Sequence, residues 1–137
     1  MRYLADTTFL IDLVNNDEGA VQLANELDAM DETVGISVIT VEEYLRGIYY
    51  LFWDNKLKLK RKLMEASRDL SAFEILPITY DIAMKAAEIE VDLIKRGEAV
   101  SLADLIIAAT AKHHNLILIT RNIKHFKRIR GLRLRSY

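Results

Sequence analysis

Apolar positions along this chain change period from one stretch to the next, and the changes mark out alternating strands and helices. Arg2 to Asp6 carries Tyr3, Leu4 and Ala5 in succession, which predicts a short buried strand opening the fold. Thr7 or Thr8 can cap a first helix with Phe9, Leu10, Leu13 and Val14 on its apolar side. Asp17 to Asp31 reads as a second helix that turns Val21, Ala24 and either Leu23 or Leu27 inward. Val34-Gly35-Ile36 predicts the next strand, and Thr40 starts a helix that runs through Gly47 and can extend to Trp53. Lys56 to Phe73 is an amphipathic basic helix with Leu59, Leu63, Ala66 and Leu70 on one face. Glu74 to Ile78 is a strand whose end is weakened by Pro77.

The second half is more sharply patterned. Thr79 to Arg96 is the clearest helix, with a stripe of Ile82, Ala86, Ile89 and Leu93 and a stop at Gly97. Ser101 starts a helix, Leu102 to His114, that is apolar nearly all round and therefore buried. Leu116 to Ile119 is the pure apolar run of a central parallel strand. A helical turn around Lys124 to Lys127 and a strand near Leu132 to Leu134 finish the chain. Strands separated by helices indicate βαβ units, an α/β fold and a mainly parallel sheet. With 137 residues, and no repeat, linker or low-complexity tract, residues 1–137 read as one domain.

Composition narrows the chemistry. There is no cysteine, which excludes disulfides, thiolate metal sites and cysteine nucleophiles. No apolar run approaches a membrane span, and Asp6 interrupts any signal-peptide core, so a cytoplasmic protein with no membrane association is expected. The net charge of −1 hides an asymmetry. The first third is acidic, whereas no acid follows Asp104 and that stretch carries Lys112, Arg121, Lys124, Lys127, Arg128, Arg130, Arg133 and Arg135. A second basic run is Lys56, Lys58, Lys60, Arg61 and Lys62. Such clusters suit a polyanion, or a solvated face.

In an open α/β sheet, ligands bind beyond the carboxyl ends of the strands. Asp6 ends the first strand, Glu43 lies on the first helical turn after the second, Asp104 opens the buried helix, and Thr120-Arg121-Asn122 follows the apolar strand. Each acid also has a structural reading. Thr40 to Glu43 and Ser101 to Asp104 fit capping boxes, and Asp6 can cap the helix near Thr8. Two points favour chemistry. Asp104 is embedded among Leu102, Ala103, Leu105, Ile106 and Ile107, where a carboxylate needs a compensating partner. Three acids converging on one sheet edge also repel one another unless a cation intervenes. The oxygen-only donor set suits a hard cation, Mg²⁺ or Mn²⁺. Such a cation can activate water against a phosphodiester, and the basic runs can hold a phosphate backbone. No Gly-rich phosphate loop or G-x-S-x-G elbow is present. His113 and His114 read as structural at a helix end. Tyr44, Tyr49, Tyr50, Phe52 and Trp53 read as core or a dimer interface, with base stacking the alternative.

The chain resembles a PIN-domain ribonuclease of the VapC type, the toxin of a toxin–antitoxin pair, over essentially its whole length. Tyr3-Leu4-Ala5-Asp6-Thr7-Thr8 resembles the family's opening strand with its first metal-binding Asp and hydroxyl residue. Ser37 to Gly47 is similar to the second motif, with its acid on Glu43, and Asp104 to Ala111 to the third, with Asp104 as the metal-binding acid. Thr120-Arg121-Asn122-Ile123-Lys124-His125-Phe126 resembles the fourth. The resemblance implies a three-layer α/β/α domain around a mainly parallel sheet of about four to five strands. It implies a Mg²⁺- or Mn²⁺-dependent endoribonuclease with Asp6, Glu43, Asp104 and Asn122 catalytic. Asp6, Asp104 and Glu43 would hold the metal, with Thr7, Thr120 and Arg121 supporting the site or contacting RNA. It further implies an RNA substrate, a homodimer and a small VapB-like antitoxin. Many relatives carry an acid at the position of Asn122, or Asp at that of His125; this sequence has neither, so one firmly held cation is expected. An antitoxin-independent PIN nuclease of RNA processing or decay, and a catalytically weak RNA-binding PIN module, are the alternatives.

Overall fold

The apolar opening run forms strand β1 (Tyr3–Ala5), and it becomes the middle of the sheet in the computed structural model, which describes residues 1–137. The other strands are β2 (Val34–Ser37), β3 (Glu74–Leu76), β4 (Ile117–Ile119) and β5 (Leu134–Arg135). They lie in the order β3-β2-β1-β4-β5, and every pairing is parallel. Between them run α1 (Thr7–Val14), α2 (Glu18–Ala29), α3 (Val38–Phe52), α4 (Lys56–Leu70), α5 (Tyr80–Lys95), α6 (Leu102–His113) and α7 (Ile123–Phe126).

The two-residue period of the strands sorts their side chains onto two faces. Leu4 and Leu118 enter a core with Ile82, Ala86, Ile89 and Leu93 of α5 and the apolar length of α6. Tyr3, Ala5, Ile36 and Ile119 enter a second core with Phe9, Leu10, Ala20, Leu23, Leu27 and Leu70. Two helix layers therefore enclose the sheet, the three-layer arrangement expected. On α2, both Leu23 and Leu27 are buried with Ala20, whereas Val21 and Ala24 are only half-buried.

Several boundaries differ from the sequence reading, and each difference has a local cause. Asp6, rather than Thr7 or Thr8, is the N-cap of α1. Helix α3 begins at Val38, not Thr40, because the buried Ser37 Oγ already accepts the Ile39 N–H at 3.1 Å. Helix α4 stops at Leu70, where Ser71 turns back its N–H onto Ser67 and Arg68. Strand β3 ends before Pro77, as a residue without a ladder donor requires. The last strand is Leu134–Arg135 rather than Leu132–Leu134. A turn at Gly131, in the left-handed region at φ 74°, and the Leu132 N–H bond to Ile129 delay pairing until Leu134 meets Leu118. Gly97 does end α5, at φ 74°, with the Glu98 N–H closing onto Leu93 O at 2.9 Å.

Candidate active site

Parallel strands place the ends of β1, β2 and β4 on one edge of the sheet, where the residues that follow them begin the next helices and loops. Asp6 follows β1 and is 4% exposed. Its Oδ1 accepts the Phe9 N–H at 2.8 Å, the α1 cap. Burial pushes its carboxyl up to about 6; bonds from Thr120 and the Phe9 N–H partly oppose this, and the charges of Asp104 and Asp12 add to it. Asp6 is thus both the cap that its position allows and a carboxylate short of compensation.

Asp104 stands at the third position of α6. Its own N–H bonds Ser101 Oγ at 3.3 Å, so the Ser101 half of the predicted capping box forms. Its carboxylate goes elsewhere, to His125 Nε2 at 2.9 Å. The Thr40–Glu43 capping box does not form, because Ser37 is the cap of α3. Thr40 is instead buried inside the helix, and its hydroxyl lies 3.0 Å from Thr7 Oγ1. Thr7 gives its single proton to Glu43 Oε1 at 2.6 Å, so Thr40 is the donor to Thr7. Arg46, one turn along, lies 3.7 Å from Glu43 Oε2. A hydroxyl relay from α3 through α1 therefore fixes the Glu43 carboxylate.

The loop after β4 supplies the remaining predicted residues. Thr120 is fully buried, bonds Asp6 through its side chain and accepts the Asn122 N–H at 3.0 Å. Asn122 is exposed and starts α7 without a side-chain cap bond. Arg121 turns to acids: NH2 donates to Asp17 Oδ2 at 3.0 Å and Nε lies 3.5 Å from Asp12 Oδ2. Its guanidinium also stacks over Tyr137, whose hydroxyl donates to Asp12 at 2.6 Å. The Ala20 N–H first, and the Arg121 guanidinium after it, hold the Asp17 carboxyl below its ordinary value, while burial and the bond to Asp12 raise the Tyr137 phenol against the opposing charge of Arg121.

Part of the charge asymmetry is taken up by internal pairing, at Arg121 and Arg135 between the two ends of the chain. Arg135 donates to Glu26 at 2.7 Å, Arg121 pairs with Asp12 and Asp17, and Arg128 pairs with Glu98. The basic run of α4 remains on the surface, with Lys58 and Lys62 over the Phe52 ring. Of the aromatic group, Tyr44 and Phe52 are half-buried, but Tyr50 and Trp53 are 84% and 69% exposed and are not core. His113 and His114 are exposed at the end of α6 and pack edge to face.

Asp6 and Asp104 are thus brought together closely enough to feel each other's charge. Glu43 is held on the α1–α3 side, and no group of three or more His, Asp or Glu side chains stands in a metal-holding arrangement. Sequence reasoning paired Thr40 with Glu43 as a cap rather than as the donor to Thr7, and missed Asp12 near Asp6, His125 against Asp104 and Arg128 against His125.

The PIN domain family model matches residues 3–132. A VapC ribonuclease of Pyrococcus furiosus is 35% identical over 98 residues, 72% of this chain and 61% of that protein's length. Ribonuclease VapC2 of Rickettsia felis is 30% identical over 140 residues, covering 100% of this chain and 98% of its own. The crystal structure of VapBC2 from Rickettsia felis bound to a DNA fragment from their promoter superposes with a TM-score of 0.83 at 29% identity, over 100% of this chain and 99% of that one. Fold and similarity along the whole chain agree: the chain belongs to the PIN-domain family and, within it, to the VapC ribonucleases.

Proposed function

We propose that this chain is a cytoplasmic endoribonuclease that hydrolyses RNA phosphodiester bonds at the Asp6–Asp104 pair, using a bound Mg²⁺ or Mn²⁺. The observation that carries the reading is Asp6, a nearly inaccessible carboxylate with one backbone and one hydroxyl donor and two acids acting on it. A hard cation is the partner that relieves such a group. The chemistry of the donors suits it: carboxylate oxygens of Asp6 and Asp104, the amide oxygen of Asn122, and Glu43 directly or through water would hold it. When bound, the cation lowers the pKa of a ligated water and offsets charge on a phosphoryl oxygen.

The protein groups do the positioning. Asp6, at the end of β1, and Asp104, on the first turn of α6, would hold the cation, and Thr120 steadies Asp6. Glu43, held through Thr7 and Thr40, orients a water or accepts its proton. Asn122 brings no charge, so these residues would hold one cation firmly and would bind a second only with the added charge of the RNA. Lys124 and Lys127 follow Asn122 and, with the α4 lysines, offer the phosphate backbone cations. Arg121 reaches RNA by exchanging Asp17 for a phosphate.

The likeness to VapBC2 supports a toxin role with a small VapB-like antitoxin, and a homodimer is proposed to complete the assembly. The test is to sequence RNA ends after controlled expression of wild type and Asp104→Asn. Discrete new ends with wild type, absent with the variant, are expected. The same ends with both would overturn the assignment.

A further inference from the structure

A row of charged and polar groups runs outward from Asp104, and its order determines what each group does. His125, on α7, meets Asp104 Oδ2 through Nε2 at 2.9 Å. Its other nitrogen, Nδ1, lies 2.9 Å from Arg128 NH2. A guanidinium only donates, so Nδ1 is the acceptor and the ring proton sits on Nε2, pointing at Asp104. Arg128 is itself fixed. Its Nε donates to His125 O at 2.9 Å, its NH2 to Ala99 O at 3.2 Å, and its NH1 lies 3.3 Å from Glu98 Oε2. That Glu98 oxygen is buried and has no hydrogen-bond partner, so the guanidinium is its sole ionic contact. The Phe126 ring packs edge to face on the imidazole at 5.0 Å.

We infer that His125 is a positioning residue for the Asp104 carboxylate, with Arg128 setting its tautomer and Glu98 holding Arg128. The inference rests on the metal-site reading above. Donation to Oδ2 fixes the rotation of the carboxylate and leaves Oδ1 as the oxygen presented to a cation. A carboxylate at a helix start could otherwise swing back to cap Ser101; the imidazole holds it forward. The Arg128 guanidinium lies on the far side of the ring from Asp104 and does not itself pair with that carboxylate. Orienting partners of this kind typically change metal affinity by about 10- to 100-fold.

The test measures Mn²⁺ binding by calorimetry and electron paramagnetic resonance for wild type, Asp104→Asn, His125→Leu and His125→Gln, with urea unfolding of each. Gln places an N–H close to the position of Nε2, whereas Leu keeps bulk without a donor. Asp104→Asn is expected to abolish binding, His125→Leu to weaken it about tenfold or more, and His125→Gln to restore it. Imidazole ¹⁵N shifts should show Nε2 protonated in wild type and a tautomer mixture in Arg128→Met. Loss of binding in Asp104→Asn with wild-type affinity in His125→Leu would overturn the positioning role alone. Equal weakening by Leu and Gln, or a proton on Nδ1 in wild type, would do the same. No Mn²⁺ binding by wild type, or full binding by Asp104→Asn, would overturn the metal site and this inference with it.

Discussion

Replacing Asp6 by Asn should make the metal-free protein more stable at neutral pH while removing its cleavage activity. The carboxyl is raised from 3.8 to about 6, chiefly by burial. A shift of roughly two units corresponds to about 3 kcal/mol. The folded protein holds this proton more tightly than the unfolded chain does. Its contribution to stability is therefore complete below about pH 4 and lost as pH rises through about 6. Asn keeps the acceptor for the Phe9 N–H, since Asn and Asp are comparable caps. It forgoes the attraction of a carboxylate for the helix dipole, worth about 0.3–1 kcal/mol. The net gain above pH 7 is about 2 kcal/mol, or roughly 6–8 °C for a chain of this size. Thermal melts of both proteins in EDTA, from about pH 4 to pH 8, check this. The curves should nearly meet at the acid end and separate as pH rises, with the variant higher. Added Mn²⁺ should then raise the wild type far more than the variant. A variant less stable than wild type at pH 8, or a gap independent of pH, would refute the argument that Asp6 is an undercompensated buried charge.

Other substitutions probe the neighbouring groups. Glu43→Gln keeps an oxygen for the Thr7 hydroxyl and removes no cap, so unfolding in urea should move by less than about 0.5 kcal/mol while RNA cleavage falls sharply. Asn122→Asp adds the missing charge, and calorimetry should show tighter Mn²⁺ binding with a second equivalent bound. Ser37→Ala should cost about 1 kcal/mol in urea unfolding, because Ser37 and not Thr40 caps α3. A neutral result there would return the helix start to Thr40.

The parts of the fold that sequence made legible are those decided by local periodicity. The Ile82, Ala86, Ile89 and Leu93 stripe is buried as its spacing requires, and α6 is buried along most of its length. Asp6, Asp104 and the loop at Asn122 could be placed on one edge because parallel strands leave no other arrangement. Local ambiguity hid the start of α3, since Ser37 and Thr40 are both good caps and only the buried strand end at Ser37 decides between them. Long-range pairing hid the rest. Arg121 and Asp17, Arg135 and Glu26, and Tyr137 and Asp12 are more than a hundred residues apart. Read locally, the basic C-terminal stretch looks available to a polyanion; folded, Arg121 and Arg135 pair with acids of the N-terminal third, and Arg128 and Arg130 with Glu98 and Asp92. Similarly, His125 carries no periodic signal, and its contact with Asp104 arises only because α7 packs beside the start of α6.

The most direct test of the account is cleavage of a labelled structured RNA by purified protein. It should be run with Mg²⁺ or Mn²⁺ and with EDTA, using wild type, Asp6→Asn and Asp104→Asn in parallel. Cleavage by wild type with the cation, abolished by EDTA and by either substitution in proteins that remain folded, is the predicted result. Equal cleavage by all three proteins, or cleavage unaffected by EDTA, would contradict the assignment of Asp6 and Asp104 as the metal-holding pair.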